Sequence, residues 1–247
     1  MKKINLLLSC FILLYTTSIG SKTSHAGLDL DASADVFINA SRMAEVGIEL
    51  SKLFRIPVCV EEARWFPRPE DNEGLREQLE FRREQGLLIH VSNATLRAVM
   101  DDLIIRYPEY RWSFDQESGI VNLFPIESAP AQWITGPLDM TDQSLESILE
   151  EHDRLGLKNQ GIFFYSGRGN PQWLQVPVVT VQEKEMSCRN VLNQISSQLA
   201  PPRIWVLREL ATPSVLWDQT GRVMRYELRF HTFMPAPQRR KSSSDGF

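Results

Sequence analysis

Three cysteines, four histidines and no long apolar run are the main scarcities of this 247-residue chain. No Cys-x-x-Cys pair, Gly-x-Ser-x-Gly elbow or phosphate loop occurs, which removes the common redox, hydrolase and nucleotide-binding signatures. His90, His152 and His231 are scattered without metal-ligand spacing. Adjacent acids such as Asp101/Asp102 and Glu150/Glu151 cannot face each other on a helix, so they make no paired-carboxylate site. The sequence therefore indicates no catalytic, cofactor or metal residues, and an enzyme with a site dispersed over the fold is the third-ranked reading. Beyond residue 26 nothing approaches the roughly 20 apolar residues of a membrane span.

What is present begins with an export signal. Lys2 and Lys3 precede an apolar stretch, residues 4–14, and Ser24-His25-Ala26 supplies small residues for cleavage. Removing residues 1–26 leaves 24 basic against 31 acidic side chains, a net charge of −7. That balance argues against nucleic acid and anionic membranes, which attract basic surfaces. The chain is expected to be exported, periplasmic or secreted. Cys59 and Cys188 remain, either as two buried thiols or as a bridge between two lobes.

Residues 87–124 carry the strongest pattern. Leu87, Ile89 and Val91 alternate as in a half-buried strand. Thr95 can cap a helix whose Leu96, Val99, Met100, Leu103, Ile104 and Tyr107 share one face. Pro108 closes that helix, and residues 110–114 and 120–124 read as a hairpin. Upstream, residues 41–54 read as a helix and residues 56–60 as a strand. Residues 61–85 form a charged insertion whose segment 72–85 can be a solvated helix.

About ninety residues later the order returns. Thr141 or Asp142 is the expected cap of a helix bearing Leu145, Ile148 and Leu149. Residues 161–165 and 178–181 read as strands. Ser187 stands where Thr95 stood, before Cys188, Val191, Leu192, Ile195 and Leu199 at matching spacing. Residues 204–207 and 222–233 close the pattern, with Trp205 matching Trp112. The predicted fold is α+β, two tandem lobes, each a small mixed sheet packed with two helices in the order α-β-β-α-β-β. The expected units are a signal peptide 1–26, a first lobe 27–126, a linker 127–138, a second lobe 139–234 and a disordered tail 235–247.

Residues 41–125 resemble the secretin/TonB short N-terminal (STN) domain. The resemblance is carried by Leu50 and Leu53 ahead of the 56–60 strand, then the 87–91 strand, the Asn93-Ala94-Thr95 turn, the Leu96–Leu103 helix face and the Trp112–Phe124 hairpin. Residues 141–233 resemble it loosely, with Glu183 where an apolar residue is expected. The insertion is longer than the family's loop, and no pore or barrel domain follows. The resemblance implies a non-enzymatic interaction domain that presents sheet edges and a helix surface to envelope proteins, acting here as a free-standing scaffold or adaptor. Strand addition to an exposed edge is the expected mode, with residues 222–233 the longest candidate. The expected partner surface is Arg225, Glu227, Arg229 and His231, with Trp65, Trp173 and Trp217 from loops. Those tryptophans also suit sugar faces, so a peptidoglycan- or glycan-binding module is the alternative.

Overall fold

The computed structural model describes residues 29–62, 72–126, 134–135, 138–144, 147, 162–164, 178–183, 186–199, 203–209 and 226–233. The fold is mixed α+β, as the patterning indicates. The signal segment, the tail and most of the expected linker lie outside the described residues.

In the first half the order is β1 (Ser33–Ala40), α1 (Met43–Phe54), β2 (Val58–Glu61), α2 (Glu73–Gln85), β3 (Leu87–Thr95), α3 (Leu96–Arg106), β4 (Tyr110–Asp115) and β5 (Ile120–Pro125). Residues 27–34 suggest an ordered lead-in or short strand; the strand found, β1, lies mostly beyond them and pairs antiparallel with β3, with an irregularity between Ala34 and Val36. Strand β2 runs parallel to β5, and β4 pairs antiparallel with β5.

After the short strand β6 (Ile134–Thr135), the same ladders recur. Strand β7 (Leu138–Ser144) pairs antiparallel with β9 (Val178–Glu183), again with an irregular register, between Met140 and Gln143. Strand β8 (Ile162–Phe164) runs parallel to β12 (Tyr226–Thr232), which pairs antiparallel with β11 (Arg203–Glu209). Short β10 (Met186–Ser187) joins β6 and leads into α4 (Cys188–Gln198). Each half therefore opens on a strand. The second of these corrects the expected cap: Thr141 and Asp142 lie inside β7, where Asp142 takes a positive φ, and Ser144 Oγ instead accepts from the Ser147 N–H at 3.0 Å.

The expected separate sheets are also corrected. β2 pairs parallel with β11, giving one six-stranded sheet in the order β4-β5-β2-β11-β12-β8. Two apolar clusters lie against it. One holds the buried faces of β1, α1, β3 and α3. The other holds α4, β9 and β11 and also takes in Cys59 and Ile120 from the first half. The second cluster thus reaches across the join.

The local reasons are visible in the caps. Thr95 Oγ1 accepts from the Ala98 N–H at 3.1 Å, and Ser187 Oγ accepts from the Asn190 N–H at 3.2 Å. Each satisfies an N–H that the first helical turn leaves unpaired. Leu96, Val99, Met100 and Leu103 of α3 are buried, as are Cys188, Val191, Leu192 and Ile195 of α4. Helix α1 uses carboxylates: Ser41 N–H donates to Glu45 Oε2 of the first turn at 2.7 Å, and Ala44 N–H donates to Glu62 Oε1, just past β2, at 3.0 Å. At its other end, buried Ser51 donates to the Gly47 carbonyl and accepts from the Val58 N–H. One hydroxyl thus fixes the turn from α1 into β2.

Helix α1 also approaches β2 unusually closely at Gly47. A Cβ there would collide with Val60 Cγ2 and stand 3.1 Å from the Val58 carbonyl oxygen. In an open helix Gly→Ala gains about 1 kcal/mol. Here the sign should reverse, and Gly47→Ala should lose about 1–3 kcal/mol through overpacking. Urea unfolding of the variant checks this, and an increase in stability would contradict the close packing.

Candidate interaction surface

The join between halves is built from charge as well as apolar surface. Glu61, at the end of β2, is buried and accepts from Nε and Nη2 of Arg189 on α4, the Nε contact being 2.7 Å. The Arg189 guanidinium lies 3.9 Å from the centre of the Phe124 ring on β5. This arrangement satisfies a carboxylate that would be costly to bury alone. The Trp205 N–H meets Cys59 Sγ at 3.4 Å, and the Glu62 N–H continues the ladder to the Leu207 carbonyl at 2.8 Å. Trp205 is fully buried, its Nε1 donating to Asn193 Oδ1 at 2.9 Å. Its counterpart Trp112 is half-buried and donates to Asp101 Oδ1.

Of the two cysteine readings, the structure takes the first. Cys59 and Cys188 are both buried and free. Burial pushes both thiols far up, so neither is a poised nucleophile at neutral pH.

The expected partner residues fare unevenly. Strand β12 is not an edge: β11 lies on one side along its whole length and β8 on the other at Tyr226–Leu228. Glu227 is not displayed either. It is only 4% exposed, clamped by Arg208 and by Arg229, whose Nε lies 2.7 Å away. A carboxylate inside a sheet needs such cations, so Arg229 serves the strand's own electrostatics. His231 is half-buried beside the same group. Arg225, Trp65, Trp173 and Trp217 lie outside the described residues, as do Trp133 and His152, so the glycan reading gains no placed aromatic.

Exposed apolar surface appears instead where the sequence had not indicated it. On the outward face of the β1–β3 ladder Phe37 is 71% exposed and Leu88 55%. Phe37 stands opposite His90, ring to ring at 5.6 Å and edge-on. On the equivalent β7–β9 face the described exposed residues, Asp139, Thr141, Thr180 and Gln182, are polar. There Gln182 Nε2 donates to Asp139 Oδ1 at 3.0 Å and to Thr141 Oγ1 at 2.6 Å, and Thr180 stands exposed beside Asp142. The run Val36-Phe37-Ile38 hides this contrast in sequence, because three consecutive apolar residues do not say which face is outward.

A polar cleft of about 260 Å³ lies between the halves, lined by Asp115, Glu117 and Ser118 and by Asn190, Gln194 and Gln198. One of its two carboxylates is engaged in structure: Asp115 holds the Ser118 hydroxyl at 2.7 Å and Asn193 Nδ2 at 3.0 Å. Among the described residues no three His, Cys, Asp or Glu side chains converge on a metal position. No described helix is long and apolar enough to cross a membrane.

No family model, curated protein or solved structure matches the chain.

One titration follows from the β12 environment. Burial lowers the His231 pKa, and Arg229 and Arg208 lower it further, against an opposing pull from Glu227. The unfolded chain then binds a proton that the folded chain refuses. Stability contributed by neutral His231 is present above about pH 6.5 and is lost as pH falls below it. Urea midpoints at pH 7.5 and pH 5 should drop more for the wild type than for His231→Gln. Equal drops would contradict the placement of this imidazole.

Proposed function

We propose that this chain is an exported, non-enzymatic protein-interaction module, a scaffold or adaptor of a bacterial envelope complex. Its docking surface is the outward face of the β1–β3 ladder. The observation that carries this reading is the contrast between two equivalent faces. One half dresses its outward ladder face with Asp139, Thr141, Thr180 and Gln182, as solvent demands. The other places Phe37, Leu88 and His90 there, with the aromatic ring largely uncovered. A ladder of this type does not require large apolar outward residues, so Phe37 and Leu88 call for a separate reason. Covering a Phe or Leu side chain is worth about 1.5–3 kcal/mol, and an aromatic flanked by an imidazole suits a protein partner.

The export signal and the STN resemblance supply the setting: a charged, acidic, periplasmic or secreted protein whose relatives in pattern meet other envelope proteins. The partner is taken to be a protein with an apolar patch ringed by polar groups, matching Phe37 and Leu88 bordered by Asp35 and Asn39 on the same strand.

A photo-crosslinking residue at position 37, compared with one at position 180 on the equivalent polar face, tests this in intact cells. The module reading expects a discrete protein adduct from position 37 that Leu88→Ser weakens, and none from position 180. No adduct at 37, or the same adducts from both positions, would refute it. Because Phe37 and Leu88 are exposed, their loss should leave the unfolding midpoint nearly unchanged.

A further inference from the structure

The cleft between the β4–β5 turn and α4 has two fixed walls. On the turn side, Asp115 Oδ1 accepts from the Glu117 N–H at 3.1 Å and from the Ser118 N–H, and the Gly119 N–H donates to the Asp115 carbonyl. Asp115 Oδ2 takes the Ser118 hydroxyl and Asn193 Nδ2, so this carboxylate holds the turn against the helix. Asn193 is itself held by Trp205 Nε1. On the α4 side, the Gln198 carboxamide closes on β9 in both directions. Its Oε1 accepts from the Thr180 N–H and its Nε2 donates to the Thr180 carbonyl, each at 2.9 Å. Walls held in this way are set before a small molecule enters, which removes part of the cost of binding it.

Between these walls stand groups suited to one class of ligand. Asn190 and Gln194 lie one turn apart on α4, Asn190 exposed and Gln194 half-buried, and Glu117 stands exposed on the opposite wall. Each carboxamide offers both donors and an acceptor, whereas a carboxylate only accepts. Asp115 and Glu117 repel an anion. Asn190 belongs to the first turn of α4, where the positive end of the helix dipole opposes a cation. An apolar ligand would strip water from these amides without replacing its hydrogen bonds. A neutral molecule with neighbouring hydroxyl or acetamido groups meets every requirement: it donates to Glu117 and exchanges hydrogen bonds with Asn190 and Gln194. The volume of about 260 Å³ falls below the roughly 300–1,000 Å³ of drug-sized sites, which limits recognition to a unit the size of a sugar ring.

We propose that this cleft binds a neutral saccharide unit, held between Glu117 of the β4–β5 turn and the Asn190–Gln194 row of α4. Glu117 accepts from hydroxyls on one side of the ring, and the two carboxamides bracket the hydroxyl or acetamido groups on the other. Recognition runs through hydrogen bonds exposed to water, so a single unit binds weakly, in the millimolar range. One wall comes from each half, and an occupied cleft ties the turn of the first to the helix of the second, alongside the Asp115–Asn193 contact. The site shares no residue with the Phe37–Leu88 face, and neither reading depends on the other.

Titration of the isotope-labelled chain, followed by nuclear magnetic resonance, tests this. The neutral probes are N-acetylglucosamine, N,N′-diacetylchitobiose and cellobiose; glucuronate is the anionic probe and lysine amide the cationic one. At least one neutral sugar should shift the side-chain amides of Asn190 and Gln194 and the backbone amide of Glu117 saturably, and more tightly than either charged probe. Gln194→Ala and Glu117→Ala alter surface side chains and should each weaken that binding about fivefold or more, the loss expected for one or two hydrogen bonds. The wild-type titration decides the matter if a variant fails to fold. No saturable shift at these three groups with any neutral sugar, tighter binding of glucuronate or lysine amide than of every sugar, or undiminished binding by folded Gln194→Ala and Glu117→Ala chains would each overturn the proposal.

Discussion

The buried contact between Glu61 and Arg189 is the constraint on which the rest of the molecule depends. Neither charge is tolerable in that position without the other, because removing a carboxylate from water costs several kcal/mol that only a paired, hydrogen-bonded cation offsets. Glu61 is the last residue of β2 and Arg189 lies in the first turn of α4. Their meeting fixes the second helix over the first sheet and brings β11 beside β2. The Phe124 ring under the guanidinium and the Trp205 N–H on Cys59 then close the join on both sides. A simple apolar contact would hold the halves together with less positional definition. The ion pair allows few alternative registers.

From that join the logic of the fold is additive. Each half alone contributes three strands to the main sheet, a small core by the standards of stable domains. Joined, they share a six-stranded sheet, and Cys59 and Ile120 become part of the second half's core. The repeat also frees surface for divergence. Once the same ladder occurs twice, one outward face can stay polar while the other acquires Phe37 and Leu88. That is the physical basis of the proposed docking face: a doubled frame in which one ladder holds Phe37 and Leu88 outward.

How much of this was legible in the sequence depends on whether the deciding contact is local. The β3–α3–hairpin unit and its second copy were readable because alternation, the 3.6-residue period and the Thr95 and Ser187 caps are near-neighbour signals. Strands β1 and β7 were not, since the short Val36–Ile38 run of β1 is flanked by Asp, Asn, Ser and Ala, and β7 carries two Asp with Gln and Ser. Their pairing with β3 and β9, many residues away, makes them strands. The same holds for Glu61 and Glu227: each reads as an exposed acid, and each is buried because arginines from distant elements reach it. Strand β12 looked like an edge for want of a visible neighbour, and the short β8 supplied one. The exposed Phe37 was hidden inside an apolar run whose outward member only the ladder register identifies.

The most direct test of the shared join is native-state hydrogen exchange read separately in α3 and α4. If the Glu61–Arg189 join makes the halves one cooperative body, the slowest amides of Val99–Leu103 and of Val191–Ile195 open with the same free energy and the same denaturant dependence. Glu61→Gln should then lower both by the same amount, about 3 kcal/mol or more. Two distinct opening energies in the wild type, or a Glu61→Gln effect confined to α4, would contradict the account.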